Sequence, residues 1–187
     1  MEEVLKRYEA KFDELNVLKA QFATYRLAKE DAEQEFTDTL EDAYVEGFAA
    51  AQYILGDDSA INPKDLREAV QFSYNGQTIQ QKFADYYETG NTKDLSRLLD
   101  SEFHRVYNTA SLDAAEQAQR NGKNILKQWL TVRDDKVRGT HEYIEGDMVP
   151  LDDVFVTYDG DYAKAPGEFQ LAQNNANCRC ILRFTAL

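Results

Sequence analysis

Arg120-Asn121-Gly122-Lys123-Asn124-Ile125-Leu126-Lys127-Gln128-Trp129-Leu130-Thr131-Val132 is the stretch whose reading decides the fold. Asn121-Gly122 stops a helix, because glycine enters the left-handed conformation that closes a C-terminus without steric cost. Ile125 to Val132 carries β-branched and aromatic residues between turn formers and predicts a strand. The texture of the chain therefore changes at Gly122. The expected fold class is α+β: a mostly helical N-terminal body over residues 1–122, then a small β-rich C-terminal module over residues 123–187.

Upstream of that stop, Glu2 to Val45 contains neither Gly nor Pro and consists mostly of strong helix formers. Leu5, Tyr8, Phe12, Leu15, Leu18, Phe22 and Tyr25 recur at steps of three and four, which marks one apolar stripe. The stripe weakens from Arg26 to Gln34 and resumes at Phe36, Leu40, Tyr44 and Phe48, so a helix bends or two helices meet there. Asn62-Pro63 supplies a cap and first turn for a short helix through Val70. Tyr74-Asn75-Gly76 reads as a turn, and a helix from about Thr78 to Glu88 ends at Gly90. Asn91 or Thr92 caps a last helix that runs to Arg120 and buries Leu95, Leu99, Phe103, Val106 and Ala110. Residues 1–120 are thus expected to be helical throughout.

Downstream, Val137 to Ile144 predicts one or two helical turns, and Glu145-Gly146-Asp147 a turn. Met148-Val149, Val154 to Val156 and Cys180 to Phe184 predict short strands. Tyr158 to Asn177, rich in Gly, Asp, Asn and Ala, predicts a long loop, and a loop of that length in a compact domain needs an anchor.

The net charge of −13 is uneven: residues 1–120 carry 24 acids and 13 bases, residues 121–187 carry 10 and 8. Ten acids and no base lie between Glu30 and Asp58. Such a surface repels phosphate backbones. Strong duplex DNA binding is therefore not expected, and any contact falls to Lys123, Lys127, Arg133 and Lys136. The acidic segment is expected to be a solvated face or to dock on a basic protein, and not to fold back on another acidic helix of the same chain. No apolar run approaches the roughly 18 residues of a membrane span. Met1-Glu2-Glu3 is acidic where a secretion signal is basic, so a reducing cytosol is expected unless the chain leaves in a larger particle.

Cys178 and Cys180 stand too close for an unstrained disulfide. On a strand they share one face with Leu182 and Phe184, while Arg179 and Arg183 point the other way. Two readings follow. Either both are buried free thiols on a core-facing strand, or both thiolates hold one Zn²⁺ with His141 and a fourth ligand.

Lys127, Trp129, Thr131, Asp134, Arg138, His141, Gly146, Phe155, Pro166 and Asn177-Cys178-Arg179-Cys180 follow one another in the order of a known C-terminal signature. That signature is the one of the phage Mu F-like minor head proteins, also called head morphogenesis proteins. Ser101-Glu102-Phe103-His104-Arg105-Val106-Tyr107-Asn108 is similar to the helix that precedes it in that family. The chain resembles the family over about residues 72–187. The resemblance implies a minor capsid protein of a tailed phage or prophage, acting at the portal vertex in head assembly or DNA delivery. It implies the portal protein and the major capsid protein as partners, and residence in the virion after assembly in the host cytoplasm. It also implies that residues 123–187 form a Mu F-like α/β module. Glu102, Arg105, Asn108, Lys127, Trp129, Asp134, Arg138, His141, Gly146, Cys178 and Cys180 are then structural motif residues, with no catalytic group among them. Some relatives carry Cys-x-x-Cys where this chain has Arg138-x-x-His141. Arg138 cannot ligate a cation, so the site is three-coordinate with an outside ligand, lost, or replaced by an Arg-centred hydrogen-bond network.

Two contrasting readings remain: a zinc-binding adaptor module, and a nuclease- or transferase-like enzyme using Glu102, Asp134, Arg138 and His141. Against the enzyme, the sequence has neither a phosphate-cradling glycine loop nor a nucleophile elbow. The four-residue step from Asp134 to Arg138 suits a structural ion pair.

Overall fold

The computed structural model describes residues 2–24, 27–74 and 76–187, with side chains from residue 10 onward except that of Phe12. Of the expected features, the side chains of Leu5, Tyr8 and Phe12, and residues Tyr25 and Asn75, lie outside the described residues. Helices α1 (Glu2–Ala23) and α2 (Lys29–Leu55) are separate, so the interruption of the apolar stripe is a junction of two helices. Leu15, Leu18 and Phe22 of α1 and Phe36, Leu40, Tyr44 and Phe48 of α2 are all buried.

α3 (Pro63–Val70) starts at Asn62, whose side chain accepts the Lys64 N–H at 3.0 Å. A two-stranded hairpin follows, β1 (Ser73–Tyr74) with β2 (Gln77–Thr78). This corrects the expectation of helix throughout residues 1–120: the turn at Gly76 is tight enough to pair the residues on either side of it. α4 (Ile79–Glu88) opens with a reciprocal capping box between Thr78 and Gln81. Its Phe83 ring collects the N-terminal aromatics, with Phe22 edge-on at 5.1 Å and Phe36 stacked at 4.5 Å.

α5 (Thr92–Arg120), capped by Asn91, is the spine of the molecule. Its predicted stripe is buried, and from Glu102 to Asn108 every residue is buried, because helices cover one side and the C-terminal sheet covers the other. α2 lies along α5. This corrects the expectation that the acidic segment would not fold back on an acidic helix of its own chain. Glu30, Asp31, Glu35, Asp38, Glu41 and Asp42 are exposed, so the like charges face water while an apolar face meets α5. The helices touch at Gly47, where an added Cβ would lie 2.2 Å from the Tyr107 carbonyl oxygen. Ser111 Oγ lies 2.9 Å from the carbonyl oxygens of both Gly47 and Tyr107 and ties the crossing.

After Gly122 come β3 (Ile125–Leu130), α6 (Gly139–Tyr143), β4 (Met148–Pro150), β5 (Phe155–Val156), β6 (Tyr162–Ala163), α7 (Ala172–Asn175) and β7 (Ile181–Ala186). β3 is the centre of an antiparallel sheet in the order β4-β3-β7, with Trp129 opposite Leu182 and Lys127 opposite Phe184. The stretch from Tyr158 to Asn177 is not structureless, since it holds β6 and α7. Its anchor is Asp161, whose carboxylate accepts the N–H groups of Tyr162, Gln170 and Leu171 and the side-chain amide of Asn174, at 2.8 to 3.1 Å. One continuous core runs from Leu15 to Phe184, and no described helix is long and apolar enough to cross a membrane.

Candidate functional site

The motif residues lie along α5 and through the C-terminal module, and Asn108 joins the two. Asn108 is wholly buried on α5, and its carboxamide donates to the carbonyl oxygens of His104 at 2.8 Å and Cys180 at 3.0 Å. Its oxygen accepts the Leu182 N–H at 3.2 Å. The side chain thus takes the place of a neighbouring strand at the start of β7, where buried backbone groups need partners.

One turn earlier, Arg105 pairs with Glu102 at 2.7 Å, both buried, and also donates to the Ala69 carbonyl at 2.7 Å. Its guanidinium sits 4.6 Å from the centre of the Phe72 ring. The pair thus fastens α3 and the hairpin to α5. The loop after β6 crosses directly over it at Gly167, where φ is +93° and an added Cβ would lie 3.0 Å from Arg105. No other residue type fits there without strain.

Lys127 of β3 is buried with its ammonium 3.0 Å from the Lys164 carbonyl and 5.5 Å from the centre of the Phe155 ring. Burial pushes its pKa down to about 8, aided by the nearby Lys164 charge. Lys127 is therefore not available to DNA, contrary to expectation. Lys123 also departs from that expectation, since its ammonium caps the C-terminus of α2 by donating to the carbonyls of Leu55 and Gly56.

Trp129, wholly buried, is ringed by His141, Phe155 and Phe169 at centroid distances of 5.2 to 5.4 Å. His141 begins a compact cluster. Its Nδ1 lies 3.3 Å from the Cys180 sulfur and 3.7 Å from the Cys178 sulfur, and all three residues are buried. The two cysteines precede β7 rather than lying on it, which corrects the strand reading. They still converge because Asn177, at φ 54°, turns the backbone before them.

The Cys180 S–H and then His141 hold the Cys178 thiol well below its ordinary pKa, whereas the Cys178 neighbour and burial push Cys180 up. Zinc–sulfur and zinc–nitrogen bonds of about 2.3 and 2.0 Å at a tetrahedral angle place their ligand atoms about 3.5 Å apart. The two His141–sulfur distances bracket that value, so Cys178, Cys180 and His141 fit three ligands of one Zn²⁺. A cavity of about 20 Å³ beside them has room for one water as the fourth. His141 Nε2 is buried with no partner among the described residues, so the outer hydrogen bond that normally orients a ligating histidine is not provided.

Asp134 and Arg138 do not form the expected ion pair. Asp134 binds Arg179 in a two-pronged bridge at 2.7 and 2.8 Å, which holds the Asp134 carboxyl below the usual range. Arg138 instead donates to the carbonyls of Gln173 and Ala176, closing the end of α7. A four-residue spacing pairs side chains only inside a helix, and α6 begins after both, at Gly139. Gly146 makes the turn that returns the chain to β3, its N–H donating to the Trp129 carbonyl at 2.9 Å.

The profile of the family described as Phage Mu protein F like protein matches residues 63–183, about two-thirds of the chain. The chain belongs to this family. The match starts at α3, earlier than the roughly 72 expected from the motifs, and takes in the hairpin that Arg105 fastens. The chain is 34% identical over 82 residues to Minor head protein GP7 of Bacillus phage SPP1, covering 44% of this chain and 26% of that protein. It is 35% identical over 88 residues to NAD(+)--arginine ADP-ribosyltransferase EFV of Enterococcus faecalis, covering 47% of this chain and 18% of that protein. The chain thus spans about a quarter of the first relative and less than a fifth of the second. No solved structure matches it.

Three further anchors escaped the sequence reading: Asp161 with Asn174, the pair of Tyr44 Oη donating to Asp113 at 2.6 Å, and the Gly47–Ser111 crossing. The Asp159-Gly160-Asp161 run carried a signal for the first. The other two join helices far apart in sequence and leave no local trace.

Proposed function

We propose that this chain is a structural minor head protein, built into a phage head through contacts with other head proteins and without a catalytic task. The observation that carries the reading is the internal commitment of the family motif. Glu102 and Arg105 bind each other and the α3 carbonyl of Ala69, Asn108 binds the Cys180 carbonyl across the junction with the C-terminal sheet, and Arg138 binds the Gln173 carbonyl of α7. Polar groups held this way stabilise a module rather than meet a substrate. The similarity to a minor head protein supports the same reading. The portal protein is the first partner on this view and the major capsid protein the second, with a place at the portal vertex in head assembly or DNA delivery.

The test is mass spectrometry of purified particles together with co-purification with the portal protein. The chain should be present at a few copies and should bind the portal more weakly as salt rises, given the exposed acids of α2. Because α2 covers α5, docking is tested with Glu30→Gln and Glu41→Gln rather than by removing the N-terminal helices. Particles without the chain would sink the reading. The similarity to a named transferase favours an enzyme as the second reading, which predicts turnover of NAD⁺ by the purified chain and its loss in Glu102→Gln. Glu102, Asp134 and His141 are committed to separate partners, which supports the structural role instead.

A further inference from the structure

A cleft of about 500 Å³ opens between α3, α5 and the loop after β6. Its volume lies in the range of ligand sites. Four carboxylates line it: Asp65 and Glu68 from α3, Asp113 from α5 and Glu168 from the loop. Phe72 and Tyr74 form an aromatic wall, their rings edge to face at 4.8 Å, and Phe72 is 40% exposed. The cation in the lining, Arg105, is already bound to Glu102 and the Ala69 carbonyl. The cleft therefore combines a surplus of negative charge with an exposed ring, which complements a guanidinium on an apolar stem.

We propose that this cleft takes an arginine side chain from a basic segment of a partner protein. The assignment rests on the head-protein reading only for the identity of that partner. The electrostatics of the lining agree with it. Burial pushes Asp113 up to about 6, with Asp65, Glu116 and Glu168 adding to the effect while the Tyr44 hydroxyl opposes it. Burial also raises Glu168, against Thr109 and the nearby cations. Like charges held close together in a partly dry cleft are relieved by an entering cation. Asp113 loses its charge as the pH falls through about 6, so binding weakens between pH 7 and 5. An exposed carboxylate of ordinary pKa stays charged over most of that window.

The full chain is titrated with the peptide Gly-Ser-Arg-Leu-Arg-Ser-Gly and with its twin carrying neutral citrulline for arginine, following backbone amide shifts. The arginine peptide should shift Thr109, Gly167 and Gln170 saturably, and the citrulline twin should bind about tenfold more weakly. Glu68→Gln with Asp113→Asn should weaken binding about as much, while Asp147→Asn with Asp153→Asn, both exposed and outside the cleft, leaves it unchanged. If the first pair unfolds, Asp65→Asn with Glu68→Gln, half-buried and exposed respectively, replaces it. Equal binding of the two peptides, shifts spread along α2, or equal loss in the Asp147→Asn with Asp153→Asn variant overturns the proposal. Specific peptide binding by a chain absent from phage heads keeps the cleft and removes the head-protein reading. Presence in heads with equal binding of both peptides does the reverse.

Discussion

Asn108 donates a hydrogen bond to the Cys180 carbonyl oxygen at 3.0 Å, so the longest helix holds the start of the last strand through one buried carboxamide. The same group accepts the Leu182 N–H. Asn108→Ala leaves both backbone groups buried without partners, and a loss of about 2–4 kcal/mol in urea unfolding is expected. Asn108→Asp keeps the acceptor but turns a charge toward the Cys180 carbonyl and should be the worse of the two. Amide exchange at Leu182 should accelerate before exchange at the helix interiors. A melt within about 0.5 kcal/mol of the parent is the outcome that excludes this role.

Gly47 faces the Tyr107 carbonyl so closely that any side chain must push α2 off α5. Gly47→Ala is expected to cost about 3 kcal/mol or more, although alanine is the better helix former. Helix propensity alone predicts the opposite sign, so a single melting curve separates the two. The gap between the two expectations is about 4 kcal/mol.

Much of this fold was legible because its signals are local. Asn62-Pro63, Thr78, Asn91 and Asn121-Gly122 mark helix ends through contacts within a few residues, and each marks one here. The His141, Cys178 and Cys180 cluster was legible too, although the cysteines sit before β7 rather than on it. What stayed hidden depends on packing across the chain. The acidic composition of α2 suggested repulsion, but its charges lie outside and its apolar face decides where it packs. Asp134 pairs with Arg179 rather than Arg138 because the loop between β3 and α6 is not helical, and no spacing rule reports that. Lys127 looked like a surface base because a lone lysine in a strand is usually solvated; here the Lys164 carbonyl and the Phe155 ring receive it.

Lys127 makes stability depend on alkaline pH. Its folded pKa of about 8 lies below the ordinary 10.5, so the unfolded chain binds the proton more readily between those values. Stability should therefore rise as the pH climbs from 8 to 10.5 and be lost again as it falls through 8. Partial screening keeps the gain to about 2 kcal/mol or less. Lys127→Met, which preserves length, should flatten that slope. An unchanged slope in the variant would show that other groups carry it.

The cluster of His141, Cys178 and Cys180 makes the last prediction, on metal content. Two sulfurs and one imidazole nitrogen converge, with His141–sulfur distances that suit a tetrahedral Zn²⁺, and the neighbouring groups lower the pKa of Cys178. Binding requires deprotonated sulfurs, so affinity should fall as the pH drops. Native mass spectrometry of the chain purified with zinc present should show about one equivalent, lost in Cys178→Ser and in His141→Ala. Chelation should lower the melting temperature by several degrees, because the binding energy of a closed site is folding energy. Without metal, the same residues form a buried cysteine–histidine cluster, in which Cys178→Ser alters stability while chelator does nothing. The two states also differ at the fourth position. The cavity beside Arg138 leaves space for a water, and a three-ligand site closed by water should exchange its metal faster than a four-ligand protein site. A chain that purifies metal-free, takes up no zinc, and melts identically with and without chelator leaves only the hydrogen-bonded cluster.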